Sequence, residues 1–146
     1  MLLKIKRVRD NRDLAMPSYE SPHSSGLDIR ADVDADVIIG PGKRFLVPTG
    51  LAVEFEPGYE LQIRPRSGLA IKNGISLVNT PGTIDADYRG EIKIIVINHG
   101  ETDFIIKRGD RIAQMIMVPV IRAQVIEVDE VGDTVRGAGG FGSTGK

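Results

Sequence analysis

Short runs in which apolar and polar residues alternate fill most of the chain, and turn residues separate them. This period of two residues is typical of half-buried β-strands, because successive side chains of a strand point to opposite faces. Strands are predicted at residues 3–8, 25–31, 36–39, 59–63 and 123–128, with a strand pair at residues 43–56 that is interrupted at Pro48. Turn signals at this spacing are typical of an all-β barrel or sandwich.

Two further strands have few polar positions. Residues 93–97 and 111–118 are apolar on nearly both faces. Strands of this kind lie between two layers or between subunits, so the pattern predicts that the chain associates with itself. Gln114 is the polar exception, and its amide needs a partner, either within the core or on a ligand.

A long hairpin is predicted around residues 79–92. An apolar strand ends at the turn formed by Pro81 and Gly82, and the next strand begins at Ile92. A hairpin tip exposes backbone amides and carbonyls, which suit it to reading the edge of a flat, hydrogen-bonding ligand. Asp85 and Tyr88 are spaced to line one pocket with a carboxylate and an aromatic face. A solvated acidic turn is the alternative.

The strand rhythm breaks at residues 64–74. Ser67 is a good N-cap, the next residues favour a helical turn, and Asn73 with Gly74 ends it. A short helix start preceded by Arg66 combines free amides, a partial positive charge and a guanidinium, which together favour an anion. A capped connector with surface arginines is the alternative.

The last eleven residues, 136–146, contain five glycines and do not pack as a strand or helix. We expect a flexible arm whose arginine, phenylalanine and hydroxyl groups close over a phosphorylated aromatic ligand. A disordered terminus is the alternative.

Composition narrows the class of protein. The 146 residues suit a single domain, with residues 1–135 as its core and residues 136–146 as the arm. The 19 basic and 20 acidic residues argue against a broad basic surface for nucleic acid, so a small ligand is expected. The absence of cysteine excludes disulfides and thiolate chemistry. No apolar run reaches the length of a membrane span, and a cytoplasmic location is expected.

Five segments, taken in order, resemble the five motifs of the trimeric deoxyuridine triphosphatase (dUTPase) family. They are residues 25–28, 64–70, 79–92, 109–114 and the tail from Arg136. The resemblance implies a distorted jelly-roll β-barrel with one short helix, and a homotrimer with three sites at subunit interfaces. It also implies magnesium-dependent hydrolysis of dUTP to dUMP and pyrophosphate, which keeps uracil out of DNA and supplies dUMP for thymidylate synthesis.

The resemblance assigns a role to each matching residue. Asp85 is the carboxylate that activates the water attacking the α-phosphorus, and Asp28 helps to hold magnesium through water. The residues matched to substrate are Arg66, Ser67, Gly68 and Gln114 for the phosphates; Asn79, Thr83, Ile84 and Asp85 for uracil; Tyr88 for the deoxyribose; Lys93; and Arg136, Phe141, Gly142, Ser143 and Thr144 in the closing arm.

Two other functions share this fold. A dCTP deaminase attacks the base at C4 instead of the phosphate, but residues 66–68 and 85–88 resemble the hydrolase versions of their motifs. A non-catalytic nucleotide-binding barrel would keep the fold and leave Asp85 without a chemical task.

Overall fold

The computed structural model describes residues 1–140 and 142. Within these residues the chain is mostly β, with one short helix. The strands are β1 (Lys4–Arg7), β2 (Ser18–Tyr19), β3 (Leu27–Arg30), β4 (Val37–Ile39), β5 (Arg44–Pro48), β6 (Leu51–Glu54), β7 (Tyr59–Arg64), β8 (Ile75–Leu77), β9 (Gly82–Ile84), β10 (Lys93–Asn98), β11 (Phe104–Ile106) and β12 (Arg111–Pro119), and the helix is α1 (Ser67–Asn73).

The strands form four small antiparallel sheets. Their strand orders are β1-β6, β5-β10-β8, β11-β4 and β2-β3-β12-β7-β9. The predicted hairpin is confirmed, since β8 pairs with β10. The two strands predicted at residues 43–56 are also present, but each pairs with another strand, β5 with β10 and β6 with β1.

Strand β12 has the central position in the five-stranded sheet. Gln114 on this strand lies opposite Asp28 on β3 and opposite Arg64 on β7. Directly opposed residues of antiparallel strands place their side chains on the same face. The register of β12 therefore aligns segments that lie far apart in the sequence.

The core follows from the alternation along the strands. Ile29, Leu61, Val96 and Met115 are fully buried, each from a different strand. Strand β10 buries every second residue, so residues 93–97 are not buried on both faces within the single chain. Burial of the second face between subunits, the alternative given for this strand, stays a prediction. The apolar residues between the buried ones, Ile95 and Ile97, remain partly exposed.

Helix α1 differs at its start from the prediction. Arg66, with extended backbone angles, is the N-cap and makes no side-chain capping bond, so Ser67 is the first helical residue and the prediction of Ser67 as cap was wrong. The C-cap is as predicted: Gly74 adopts a left-handed conformation with φ of 68°. A side chain there would put Cβ 2.6 Å from the amide nitrogen of Gly100, so the turn requires glycine.

A buried carboxylate anchors the loop after β1. Asp32 is fully buried and accepts hydrogen bonds from Arg9 Nε at 2.7 Å, from Asn11 Nδ2 at 2.8 Å and from Arg108. Burial raises the pKa of Asp32, but these three donors outweigh it and hold the pKa below its ordinary value. The loop is thereby joined to the turn before β12 that carries Arg108.

The prediction of a strand at residues 123–128 was wrong for the single chain. In the described stretch 120–140 the backbone forms no strand, and several large apolar side chains are exposed. They are Ile121, Val125, Ile126, Val128, Val131 and Val135. A strand needs a neighbouring backbone to pair with, and apolar periodicity alone does not supply one.

Of the helical structure described, nothing has the length and apolar character required to cross a membrane.

Candidate functional site

A first cavity of about 350 Å³ opens beside the centre of β12. We call it the β12 cavity. It is lined by Glu20, Ser24, Ser25, Gly26, Asp28, Arg66, Ser67, Gly68, Arg111 and Gln114. Three of the motif segments, at residues 25–28, 64–70 and 109–114, therefore meet here, as the register of β12 requires.

Two guanidinium groups and two carboxylates face one another in the β12 cavity. Arg111 Nη1 lies 2.9 Å from Asp28 Oδ2 and 3.0 Å from Glu20 Oε2. Arg66 Nε lies 3.3 Å from Asp28 Oδ1, and its Nη1 donates to the carbonyl of Arg111 at 3.1 Å. The fork geometry of arginine suits it to phosphate oxygens, so the cavity has the donors that a polyphosphate requires.

Gln114 is held in place inside this cavity. Its Nε2 donates to the carbonyl of Pro65 at 3.0 Å, while Gly26 lies against its side chain. A Cβ at Gly26 would collide with Gln114 Oε1, so glycine is needed for this amide to lie where it does. The polar exception predicted on β12 therefore has a protein partner and also lines the cavity.

The start of α1 contributes backbone donors. The first helical hydrogen bond runs from the amide of Ala70 to the carbonyl of Arg66 at 3.0 Å. The amides of Ser67 and Gly68 precede this bond, and both residues line the β12 cavity.

A second cavity, of about 410 Å³, lies along the hairpin. We call it the hairpin cavity. It is lined by Leu46, Thr83, Ile84, Asp85, Tyr88, Glu91 and Lys93. Asp85 and Tyr88, which the sequence predicted to line one pocket, both line the hairpin cavity. Asp85 and Tyr88 are both exposed to solvent.

Hydrogen bonds within the hairpin tip fix the position of the Tyr88 ring. The amide of Tyr88 donates to the carbonyl of Asp85 at 3.1 Å, and its hydroxyl donates to the carbonyl of Glu91 at 3.0 Å. The ring lies so close to Gly90 that a Cβ there would be 2.6 Å from Tyr88 Cζ. Arg89 Nη1 closes the turn by donating to the carbonyl of Ala86 at 2.7 Å.

A third cavity, of about 800 Å³, also reaches the hairpin tip. Its lining includes Asp85, Asp87 and Arg89 from the hairpin, with Tyr59 from the start of β7 and Arg122 from the chain just beyond the end of β12, which pairs with it. Asp85 therefore lines two cavities.

The remaining predicted residues lie elsewhere. Asn79 is exposed at the end of β8 and is outside the linings of both the β12 cavity and the hairpin cavity. Arg136 is exposed and donates from Nε to the carbonyl of Gly139 at 2.7 Å, and Gly142 has a φ of 86°. Phe141, Ser143 and Thr144 lie outside the described residues. The substrate roles given to these residues stay predictions.

Sequence reasoning missed three charged residues that line the β12 cavity and the hairpin cavity. Arg111 and Glu91 belong to two of the motif segments, but their side chains were given no role. Glu20 lies in the loop between β1 and β3, which has no periodicity and gave no signal. What places it in the β12 cavity is the pairing of β2 with β3.

The possible metal ligands in the β12 cavity fit a magnesium ion only in part. Among residues 1–140 and 142, no three His, Cys, Asp or Glu side chains are grouped so that they could hold a metal ion. Both carboxylate oxygens of Asp28 already lie against arginines. Such a site fits magnesium held through water, since this ion keeps several waters and needs only one or two carboxylates in addition to phosphate oxygens.

Comparison with known proteins identifies the family. A family model described as dUTPase matches residues 12–145. The chain belongs to the dUTPase family. The resemblance found in the motifs is thereby confirmed.

Curated dUTPase relatives match over the whole chain. The deoxyuridine 5'-triphosphate nucleotidohydrolase of Nautilia profundicola is 57% identical over 146 residues and is covered completely, as is this chain. The protein of the same name from Caldanaerobacter subterraneus subsp. tengcongensis is 54% identical, covering 99% of this chain and 98% of its own.

Solved dUTPase structures have the same fold. A point mutant of the Staphylococcus bacteriophage 80alpha dUTPase, determined with dUpNHpp, matches with a TM-score of 0.86 and 25% identity, covering 99% of both chains. A point mutant of the dUTPase from phage phi11 of S. aureus, described with a structural Mg(II) ion, matches with a TM-score of 0.79 and 21% identity, covering 91% of this chain and all of its own.

Proposed function

We propose that this chain hydrolyses dUTP to dUMP and pyrophosphate, by attack of water on the α-phosphorus. The observation that carries the proposal is the convergence of Asp28, Arg66 and Gln114 in the β12 cavity, in a chain that belongs to the dUTPase family. The name shared by the curated relatives supports a hydrolase and does not favour the deaminase alternative.

The β12 cavity takes the triphosphate in this proposal. A triphosphate repels an incoming nucleophile, so its charge has to be neutralised before water attacks. Arg66 and the amides of Ser67 and Gly68 supply donors, and Gln114 supplies an amide beside the α-phosphate. Arg111 holds Asp28 in position at 2.9 Å.

Magnesium, when bound, supplies further neutralisation of the phosphate charge. Asp28 would hold it through water, because its oxygens face Arg66 and Arg111. Water and the phosphate oxygens of the substrate would supply the other ligands.

The hairpin cavity takes the nucleoside. The backbone of Thr83, Ile84 and Asp85 reads the edge of uracil, and the Tyr88 ring packs under the deoxyribose. Cytosine has the reverse donor and acceptor pattern at this edge, so a backbone fitted to uracil leaves groups unpaired with cytosine. Asp85 orients the attacking water and takes its proton.

The complete site requires more than one copy of the chain, in a jelly-roll homotrimer. Two observations on the described residues support this assembly. The β12 cavity and the hairpin cavity have no lining residue in common. Residues 120–140 also expose large apolar side chains, such as Ile121 at 96% and Val125 at 91%, which a neighbouring copy would cover. The arm at residues 136–146 then closes a site shared between copies.

The catalytic assignment is tested by Asp85→Asn, with Asp87→Asn as the matched control. Both substitutions remove one carboxylate from the same hairpin tip, but of the two only Asp85 lines the hairpin cavity. We expect Asp85→Asn to lower kcat on the order of 10²- to 10⁴-fold, the usual contribution of a general base, while dUTP affinity changes little. The measurement is pyrophosphate release from dUTP, with dCTP, dTTP and UTP alongside.

Two results would overturn the assignment. A wild-type kcat for Asp85→Asn leaves the carboxylate without a role in the reaction. Ammonia release from dCTP by the wild-type protein would instead establish the deaminase.

The shared site is tested by mixing two inactive variants. Arg66→Ala damages the β12 cavity and Asp85→Asn damages the hairpin cavity, so mixed trimers contain some sites in which both halves are intact. Unfolding and refolding the two variants together is expected to restore part of the activity. If the refolded mixture stays as inactive as each variant alone, each site is formed within one chain.

A further inference from the structure

Glu91 connects the base of the catalytic hairpin to a buried turn. Its Oε1 accepts a hydrogen bond from the amide of Gly50 at 2.9 Å, in the turn between β5 and β6. Its backbone carbonyl accepts the hydroxyl of Tyr88 at 3.0 Å. One residue therefore contacts both the turn and the aromatic ring of the hairpin cavity.

The turn at Gly50 is a rigid support. Gly50 is buried, with a φ of 65°, and a side chain at this position would collide with Asp32 and Asn11. The turn therefore cannot move toward the buried carboxylate. Because Gly50 is a buried residue, removal of the acceptor of its amide leaves a donor without a protein partner, which is unfavourable.

A second pair of bonds aligns the same two segments. Thr49 is buried and donates from its hydroxyl to the carbonyl of Ile92 at 2.7 Å, and the amide of Ile92 donates to the carbonyl of Leu51 at 2.8 Å. These two bonds fix Ile92, directly before β10. The bond of the Glu91 side chain fixes the preceding residue, which lines the hairpin cavity.

The other carboxylate oxygen of Glu91 faces Lys93. Glu91 Oε2 lies 3.7 Å from Lys93 Nζ, and the Lys93 side chain is 47% exposed. Ion pairs as exposed as this one contribute little, so the bond to Gly50 is the stronger contact.

We propose that Glu91 is a positioning residue for the reaction, and that its bond to the Gly50 amide fixes the hairpin so that Asp85 and Tyr88 point into the hairpin cavity. This role rests on the dUTP hydrolysis proposed above. It concerns the geometry of the Oε1 atom and not the charge of the carboxylate.

Three substitutions separate geometry from charge. Glu91→Gln keeps an oxygen that accepts from Gly50 and removes the charge. Glu91→Asp keeps the charge but is shorter by one C–C bond, about 1.5 Å, so it does not reach. Glu91→Ala removes both. Glu54→Gln is the matched control. Glu54 Oε1 forms an exposed ion pair with Lys4 Nζ at a distance of 2.6 Å, and Glu54 does not line any of the three cavities.

We expect kcat for pyrophosphate release to fall on the order of 10²-fold in Glu91→Ala and Glu91→Asp, the size of effect caused by a displacement of about 1 Å in an active site. Glu91→Gln and Glu54→Gln are expected to stay close to the wild type. Assembly by size-exclusion chromatography, and assays well below the melting temperature, exclude a loss caused by unfolding.

Hydrogen exchange of the Gly50 amide provides a measurement that does not depend on turnover. It is expected to be slow in the wild type and in Glu91→Gln, and faster in Glu91→Ala and Glu91→Asp. If the wild type releases no pyrophosphate, the proposed function fails. Hydrogen exchange of the Gly50 amide still tests the bond between Glu91 and Gly50 in that case.

The proposal is overturned if Glu91→Ala keeps the wild-type kcat, or if Glu91→Gln loses as much activity as Glu91→Ala. A loss in Glu91→Asp equal to that in Glu91→Ala, with recovery in Glu91→Gln, supports it. If Glu91→Ala does not assemble, the comparison of Glu91→Gln with Glu91→Asp decides in the same way.

Discussion

Gly26→Ala should damage the β12 cavity without removing any functional group. The added Cβ would lie 3.1 Å from Cβ and 3.2 Å from Cδ of Gln114, and it would collide with Oε1. These separations are shorter than ordinary contacts, so the Gln114 side chain has to shift, and we expect it to give up its 3.0 Å bond to Pro65. Forced repacking costs about 1–3 kcal/mol, and the lost hydrogen bond costs about 1 kcal/mol.

The expected loss in the free energy of unfolding is therefore about 3 kcal/mol, which corresponds to a fall in Tm of roughly 6–12 °C for a chain of this length. Because the amide of Gln114 moves away from the α-phosphate, kcat/KM for dUTP is expected to fall on the order of 10²-fold. Differential scanning fluorimetry and pyrophosphate release measure the two effects.

Gly40→Ala is the control for Gly26→Ala. At Gly40 the nearest atoms to an added Cβ are Asp103 Oδ1 at 3.4 Å and Lys43 Cγ at 3.8 Å, which are ordinary contacts. Its stability should stay within about 0.5 kcal/mol of the wild type. If Gly26→Ala has the same Tm and kcat/KM as Gly40→Ala, the position of Gln114 does not depend on the absence of a side chain at residue 26.

Three further predictions concern the buried carboxylate, the arm and the metal. Asp32→Asn should lower the free energy of unfolding at pH 7 by about 1–3 kcal/mol, since it weakens the hydrogen bonds that Asp32 accepts from Arg9, Asn11 and Arg108. Because the folded pKa of Asp32 is lowered, its contribution to stability is present above about pH 3.9, the pKa of an unfolded aspartate, and is lost as the pH falls through the folded pKa. Below about pH 4, the free energy of unfolding measured with urea should therefore fall more steeply with decreasing pH in the wild type than in Asp32→Asn. Equal slopes would contradict this. Deletion of residues 136–146 should cripple kcat while sedimentation still shows the assembled protein, and a fully active truncation would refute the role of the arm. Chelation of divalent ions should abolish pyrophosphate release and added Mg²⁺ should restore it, whereas full activity in excess chelator would exclude the metal.

The sequence predicted the elements whose signals are local. The alternation of apolar and polar residues located most strands. The turn residues Pro81 and Gly82, between an apolar strand and the strand predicted to begin at Ile92, located the hairpin. The failure at residues 123–128 has a physical cause, because alternating apolar residues indicate a face to be buried but not which backbone pairs with it. Ser67 was assigned as a cap from its residue type, but the backbone turns one residue earlier, at Arg66.

The candidate site could be predicted only where motifs mark it. Asp28 and Gln114 carry their roles by resemblance, but their juxtaposition depends on the register of β3 and β12, which no local signal encodes. Glu20 enters the β12 cavity through a two-residue strand, too short for any periodicity to reveal. The contact of Glu91 with Gly50 joins residues 41 positions apart and likewise leaves no trace in spacing.

The uncovered valines and isoleucines after β12 have a consequence for the living cell. If neighbouring copies cover them, the durability of each molecule depends on how many others surround it, since dilution shifts the balance toward lone chains. A newly translated chain would then carry an adhesive segment until it meets its partners. A low cellular concentration of the protein, and not only mutation, would then favour its proteolysis and aggregation.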